Sequence, residues 1–132
     1  MIVIIPCGGK KRLEMSRARD LYIGPYFKAC LRYSLYLVEP ERVYILSALH
    51  GLLILDEEVE PYDLRMGQPG CVRVDQIRHR ATEFELLNEE VIALGGREYT
   101  GRCLQVWPHA LTPLEGVGGI GKQLAWLKSH CR

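Results

Sequence analysis

The chain has 132 residues and a formal net charge of +1, with 48% of its residues hydrophobic and 25% charged. This length is typical of one domain, which we place at residues 1–132, and it can bury a core without a disulfide or metal staple. The near-neutral charge argues against a polycation that coats nucleic acid indiscriminately, and no stretch approaches the roughly 18 apolar residues of a membrane span. The five cysteines are widely separated, which favours a reducing cytoplasm and gives no support to a zinc site.

Charge is unevenly distributed along the chain. Residues 1–38 contain seven basic side chains against Glu14 and Asp20, whereas residues 39–63 contain seven acidic side chains and only Arg42. Either the basic third faces a polyanion, or both segments are ordinary solvated faces.

The first half of the chain predicts two strands and a helix. Residues 2–5 form a continuous apolar, β-branched run, which is typical of a strand buried on both faces. A glycine-containing loop over 6–19 leads to a predicted helix over 26–39, which has an apolar stripe and stops before Pro40. A second buried strand over 42–48 is followed by an irregular excursion over 51–70, and loops of that length are usually functional.

The second half of the chain continues the alternation of predicted strands and helices. We predict a helix over 72–87, a strand over 90–96, a short helix over 97–107, a fourth strand over 109–114 and a terminal helix after a glycine turn. This order predicts a three-layer α/β/α fold with a small, about four-stranded, mostly parallel sheet. Ligands of such folds bind outside the carboxyl ends of the strands, where most of the glycine-rich segments fall.

The loop after the first strand is a candidate substrate-binding loop. It lacks the spacing of a Walker A motif, but its glycines let backbone N–H groups approach an anion and its lysines add positive charge. The other reading is a plain turn at the end of a strand. The residues concerned are Pro6, Cys7, Gly8, Gly9, Lys10 and Lys11.

A second glycine-rich segment, "GVGGIGKQ", follows the predicted fourth strand. Only eleven residues follow Gly121, so the acidic residue of a Rossmann dinucleotide site has no place in the sequence. What remains is a phosphate or DNA-backbone contact at a helix N-terminus, made by Gly119, Gly121 and Lys122, or a tight crossing that only glycine allows.

Asp20 and His50 are the leading catalytic candidates. Asp20 lies in the first loop near Tyr22, where a carboxylate can orient water or stabilise a developing cation; its alternative role is to cap a helix. His50 follows the second strand, at the expected site, where an imidazole can donate to a leaving group or hold a phosphate; its alternative role is purely structural.

Glu60 and Asp63 are reserve catalytic candidates on the long excursion, on either side of Tyr62. Two carboxylates beside an aromatic ring suit sugar chemistry, because an oxocarbenium-like centre needs nearby negative charge. A simple Pro-Tyr-Asp turn is the alternative.

These segments together resemble a family of small bacterial and phage proteins catalogued as a domain of unknown function. At Gly8-Gly9 the chain departs from the pattern of this family, whose members often have a Ser beside a Lys or another polar residue at these two positions. The Ile-Pro-Cys opening is also similar to the glycosylase-like domain of archaeal tRNA-modifying enzymes, and through it to the uracil-DNA glycosylase superfamily. The matching motifs are Ile5-Pro6-Cys7 with Lys10-Lys11, residues 18–22, Ser47-Ala48 with His50-Gly51-Leu52, Pro61-Tyr62-Asp63, and residues 119–123.

The resemblance implies a uracil-DNA-glycosylase-like fold and an enzyme that removes a modified, phage-type nucleobase from DNA and leaves an abasic site. Asp20 would orient water, His50 would stabilise the departing base, and Tyr22 or Tyr62 would stack on it, with Ser47 in the binding site. The expected partner is nucleic acid, DNA rather than RNA, with no membrane, metal or redox cofactor. A non-catalytic module that binds modified bases or nucleotides, and an N-glycosidase or transferase of free nucleosides or nucleotides, remain alternatives.

Overall fold

The structure, a computed structural model, describes residues 1–131 and contains one main sheet, one small sheet and five α-helices. A short 3₁₀ turn over Pro40–Arg42 precedes the third strand. The strands are β1 (Ile2–Pro6), β2 (Ser16–Arg17), β3 (Val43–Ser47), β4 (Gly51–Ile54), β5 (Glu58–Val59) and β6 (Val91–Ala93), and the helices are α1 (Ala18–Leu21), α2 (Pro25–Leu37), α3 (Val74–Glu83), α4 (Arg97–Val106) and α5 (Ile120–Ser129).

β1 lies inside a four-stranded sheet of order β4-β3-β1-β6. It runs parallel to β3, with Val3 opposite Val43, and parallel to β6, with Ile2 opposite Val91. Every residue of β1 is buried, as expected of a β-branched strand covered on both faces. The predicted α/β fold with a small, mostly parallel sheet is confirmed.

Three helices pack against the main sheet, and α5 packs against one of them. α2 contacts β1, β3 and α5, whereas α3 contacts β4 and α4, and α4 also contacts β6. α2, α3 and α4 begin and end within a few residues of their predicted bounds, because Pro and Gly mark most of those positions. No helix within residues 1–131 is long and apolar enough to cross a membrane.

The prediction of an irregular excursion after His50 was wrong for residues 51–54. These residues form β4, which pairs antiparallel with β3. Gly51 makes the reversal possible with a φ of +74°, and a Cβ there would lie 3.2 Å from Val72 Cγ2. The unbroken apolar run of Leu52 and Leu53, both buried, hid the strand pattern.

The predicted fourth strand over 109–114 was also wrong. Leu111 alone pairs with the sheet, through a single parallel bridge to Ile92. Its backbone N–H donates to the carbonyl of Val91, and its carbonyl accepts from Ala93 N–H. Pro113 lacks the N–H that a longer ladder requires, so the pairing stops there.

Candidate functional site

The main cavity opens at the carboxyl end of β1 and has a volume of about 560 Å³. This is the edge of a parallel sheet at which ligands bind, and the volume is in the usual range for small-molecule sites. We use the name main cavity, for its position at this edge of the sheet and not for its size, for the space lined by residues 6–9, 24–27, 65–66 and 96–99 with Ile120 and Gln123.

Three helix N-termini meet at the main cavity. Gly24, Gly96 and Gly119 precede α2, α4 and α5, and none of these helices has a side-chain cap. The first N–H groups of a helix have no intrahelical acceptor, and the helix dipole places partial positive charge at the same end. α2 begins at Pro25, which has no N–H, so α4 and α5 supply more of these donors than α2 does. With glycine at each cap position, no capping side chain competes with an anionic group of a ligand for the remaining N–H groups.

Charged side chains lie beside these helix N-termini in the lining of the main cavity, and we call this part of the lining the cavity wall. Arg65 and Arg97 line the main cavity and add positive charge, and Glu98 is the one carboxylate among its described lining residues. Glu98 pairs with Arg102 at 2.9 Å, yet its side chain remains 63% exposed. A second cavity of about 610 Å³ adjoins the first and shares Arg97 and Glu98 with it.

Gly67 makes room for the Glu98 carboxylate. Its φ is +94°, and a Cβ at this position would lie 2.8 Å from Glu98 Oε2. The close approach places Glu98 against the loop that also contributes Arg65 to the cavity. The position of this carboxylate therefore depends on a glycine on a different segment.

Two tyrosines of the main cavity form hydrogen bonds to other residues of its lining. Tyr99 hydroxyl donates to the carbonyl of Cys7 at 3.1 Å and lies 3.3 Å from Cys7 Sγ. Tyr26 hydroxyl donates to Gln123 Oε1, while Gln123 Nε2 donates to the carbonyl of Gly118 at 2.8 Å. Burial raises the pKa of Tyr26 and of Tyr99, so both hydroxyls remain protonated donors near neutral pH.

We use the name opening loop for residues 7–15, between β1 and β2. A chain of hydrogen-bonded hydroxyl groups lies next to this loop. Ser47 Oγ and Tyr62 hydroxyl are 2.7 Å apart, as are the hydroxyls of Tyr62 and Tyr22. Ser47 Oγ also accepts from the backbone N–H groups of Leu49 and His50. Because those bonds use both lone pairs of Ser47, Ser47 donates to Tyr62, while either hydroxyl can donate in the bond between Tyr62 and Tyr22.

Lys11 and His50 enclose the ring of Tyr62. Lys11 Nζ lies 4.3 Å from the ring centroid, and the His50 ring meets it edge-on at 5.6 Å. Burial lowers the pKa of Lys11, an effect that Cys7 and Asp63 oppose and Arg65 reinforces. Burial raises the pKa of Tyr22 to about 12 and that of Tyr62 further. The phenols of Tyr22 and Tyr62 are therefore neutral near neutral pH, and the amino group of Lys11 lies over the ring of Tyr62.

We expect Tyr62→Phe to lower the free energy of unfolding by about 1–2 kcal/mol, because Ser47 and Tyr22 lose their shared partner in a partly buried site. Chemical denaturation monitored by circular dichroism measures the change. Tyr36→Phe is the matched control, since Tyr36 is exposed, and it should change stability by less than about 0.5 kcal/mol. Equal effects from the two variants would show that the hydroxyl chain adds nothing to stability.

The structure brings together several of the residues that the sequence singled out. Pro6, Cys7, Gly8 and Gly9 line the main cavity, and Ser47, Tyr62, Tyr22, Lys11 and His50 form the hydroxyl cluster behind it. Tyr22 is buried, so of the two predicted stacking residues only the half-buried Tyr62 exposes part of its side chain. The stacking role itself stays a prediction.

The predicted carboxylates lie outside the lining of the main cavity. Asp20 pairs with Arg17 at 3.0 Å, while Glu60 and Asp63 are exposed. The remaining binding candidates, Lys10, Gly119, Gly121 and Lys122, are exposed as well, the last three at the start of α5. Their roles and that of His50 stay predictions.

Sequence reasoning missed Tyr26, Arg65, Glu98 and Gln123 as cavity residues. A usable signal existed for Glu98, because it follows the third predicted strand and its glycine pair, in the first turn of a helix. Within the described residues, no three His, Cys, Asp or Glu side chains are grouped as a metal ion would require.

The fold and the main cavity together define a small α/β domain with a candidate ligand site at the carboxyl end of its parallel strands. The chain belongs to a family of unknown function, DUF6884, whose model matches residues 2–129. It is also 34% identical over 136 residues to a protein of Bacillus subtilis (strain 168) named "Uncharacterized protein YfjM", and the match covers 93% of this chain and 89% of that protein. The similarity therefore extends over all the elements that build the site.

Proposed function

We propose that this protein is a DNA base-excision N-glycosylase that hydrolyses the N-glycosidic bond of a modified, phage-type nucleobase. The observation that supports this most is the composition of the main cavity, which combines one carboxylate with three helix N-termini and two arginines. Such a site can hold a phosphate and place negative charge next to the sugar.

The reaction needs few catalytic parts. Water adds its oxygen to C1′ of the sugar as the bond from C1′ to the base nitrogen breaks, and the electron pair of that bond leaves with the base. One proton of the water is transferred to the base, directly or by way of a carboxylate. The sugar ring is cation-like in the transition state, so a nearby carboxylate lowers the barrier.

Glu98 is the carboxylate that we assign to this role. It lines the main cavity, whereas Asp20, Glu60 and Asp63 lie outside that lining. Glu98 is ion-paired as Asp20 is, with Arg102 at 2.9 Å, and its side chain is 63% exposed, so its position at the cavity is what distinguishes it. Glu98 would stabilise the sugar cation and accept the proton of the attacking water. His50, Tyr62 and Lys11 would act from the hydroxyl cluster on the base or the backbone next to it.

Geometry and charge support the proposal of a nucleic-acid partner. A base inside a duplex is out of reach of a cavity, so the target nucleotide must leave the stack. The opening loop joins the cavity wall at Gly8 and Gly9 and continues into the exposed cations Lys10 and Arg12. These cations can contact the phosphates that flank the displaced nucleotide.

A second candidate function is N-glycosidic cleavage of free nucleotides. The convergence of three uncapped helix N-termini with Arg65 and Arg97 favours it, because a terminal phosphate dianion would fit that wall. The chemistry at C1′ would be the same, and only the size of the substrate would differ.

The test is base release from defined substrates. Purified protein is incubated with unmodified duplex DNA, with duplexes carrying phage-type modified bases, and with the matching nucleoside monophosphates. Released base is measured by mass spectrometry, and abasic sites by cleavage in alkali. We expect release from modified DNA; release from free nucleotides alone would establish the second function, and binding without release from any substrate would overturn both.

A further inference from the structure

Lys11 is the least exposed of the five lysines in the chain. Its side chain is half-buried, and Nζ lies 4.3 Å from the centroid of the Tyr62 ring and 5.8 Å from that of the Tyr22 ring. Within residues 1–131 it belongs to no ion pair, so no carboxylate offsets the loss of water around its amino group. The other four lysines are exposed: Lys10, Lys28, Lys122 and Lys128.

The amino group of Lys11 lies next to the main cavity. Gly9 lines that cavity and has only backbone atoms, and its carbonyl oxygen lies 3.4 Å from Lys11 Nζ. The backbone of Lys11 is held in place by an antiparallel bridge to Tyr22. Beside this bridge, Arg12 N–H donates to the carbonyl of Leu21 at 2.8 Å. The side chain can therefore reach the cavity by rotation about its own bonds, without movement of the backbone.

The surroundings of Lys11 favour the neutral amine over the ammonium ion. Burial lowers the pKa of Lys11, Cys7 and Asp63 oppose this effect, and Arg65 reinforces it. Only the neutral amine has the lone pair that adds to a carbonyl carbon, and lysines that form imines are activated by such desolvation. The amine therefore has both the position and the environment of a nucleophile.

We propose that Lys11 forms an imine with the aldehyde of an abasic site, so that the protein also acts as a lyase that cleaves the DNA strand at that site. This inference rests on the proposed function, because loss of the base leaves a sugar whose C1′ becomes an aldehyde when the ring opens. It adds a second activity and places the strand break on the 3′ side of the lost base.

The steps of this reaction need no oxidant, reductant or metal. The lone pair of Lys11 Nζ adds to C1′, the carbonyl oxygen leaves as water with both amine protons, and the C1′–N bond becomes an imine. The protonated imine acidifies C2′–H. Loss of the C2′ proton to water forms the C2′–C3′ double bond and breaks the bond from C3′ to oxygen, which releases the downstream strand with a 5′-phosphate. Water then hydrolyses the imine and restores the free amine.

The test uses a duplex in which a single abasic site has been prepared beforehand, so that no glycosylase step is required. Sodium cyanoborohydride reduces an imine to a stable amine and thereby cross-links protein to DNA. We expect Lys11→Met and Lys11→Arg to lower cross-linking and strand cleavage at least about tenfold. Arginine keeps the positive charge but does not deprotonate, so Lys11→Arg should bind the abasic duplex within about threefold of wild type.

Lys28→Met is the matched control, because Lys28 is exposed on α2, and it should stay within about twofold of wild type in cross-linking. Mass spectrometry of the cross-linked peptide identifies the reacting amine. Cross-linking at Lys11 without base release from modified DNA would reject the glycosylase and keep the lyase. Base release without a Lys11-dependent cross-link would overturn the lyase alone, as would a cross-link mapped to Lys10 or to the amino group of Met1.

Discussion

Glu98→Gln is expected to lower the rate of base release by about 100-fold or more, because glutamine has nearly the same shape but neither the negative charge nor the ability to accept a proton. General acid–base catalysis by one side chain contributes about 10²–10⁴-fold. The amide oxygen of glutamine can still accept from Arg102, so the first turn of α4 should keep its geometry. The measurement is single-turnover release of the modified base at saturating enzyme.

Asp20→Asn and Asp63→Asn are the matched controls, since each also removes one negative charge. Both carboxylates lie outside the lining of the main cavity, and we expect each variant to stay within about threefold of the wild-type rate. A large loss in Asp20→Asn with normal activity in Glu98→Gln would refute the assignment of Glu98. Thermal denaturation of every variant is needed, and Glu98→Gln should cost only the small energy of an exposed i,i+4 pair, about 0.5 kcal/mol.

The strands of the parallel sheet could be predicted because their signals are local. A β-branched run over 2–5 and a second apolar run ending at Ser47 each have the length and composition of a buried strand, whichever segment pairs with them. β4 escaped prediction for the opposite reason. Its apolar run, with Leu55 beyond its end, fits a strand and a buried loop equally well, and only pairing with β3 decides between them.

The site was predictable only in part, because its residues come from distant segments. The edge of the sheet and the loop at residues 6–9 follow from chain order and glycine content. By contrast, Tyr22 and Tyr62 are 40 positions apart, and their shared hydrogen bond is set by tertiary packing. Gln123 enters the main cavity only because α5 packs against α2, which no local pattern in either helix indicates.

Trp107→Ala is expected to lower the free energy of unfolding by about 3–5 kcal/mol, the usual loss when a buried aromatic ring becomes a cavity. Trp107 is 0% exposed, follows the end of α4, and donates from Nε1 to the carbonyl of Leu86 at 2.9 Å. The total free energy of unfolding of a small domain is about 5–15 kcal/mol, so Trp107 contributes a large share of the stability. Urea denaturation monitored by circular dichroism measures the loss without relying on the altered fluorophore.

Trp107→Phe separates packing from hydrogen bonding at Trp107, and Trp126→Ala is the comparison at a tryptophan that is only partly buried. Trp107→Phe keeps most of the ring volume but leaves the carbonyl of Leu86 without its donor, for which we expect about 1–3 kcal/mol. Trp126→Ala should cost less than Trp107→Ala, because Trp126 is only partly buried and stacks on the exposed His130. A smaller loss in Trp107→Ala than in Trp126→Ala would contradict the packing argument.

The loss of Trp107 should also affect the candidate site. α4 carries Glu98 in its first turn and ends just before Trp107. Because a loosened C-terminal end of α4 would disturb the helix, we expect Trp107→Ala to lower activity at temperatures below unfolding.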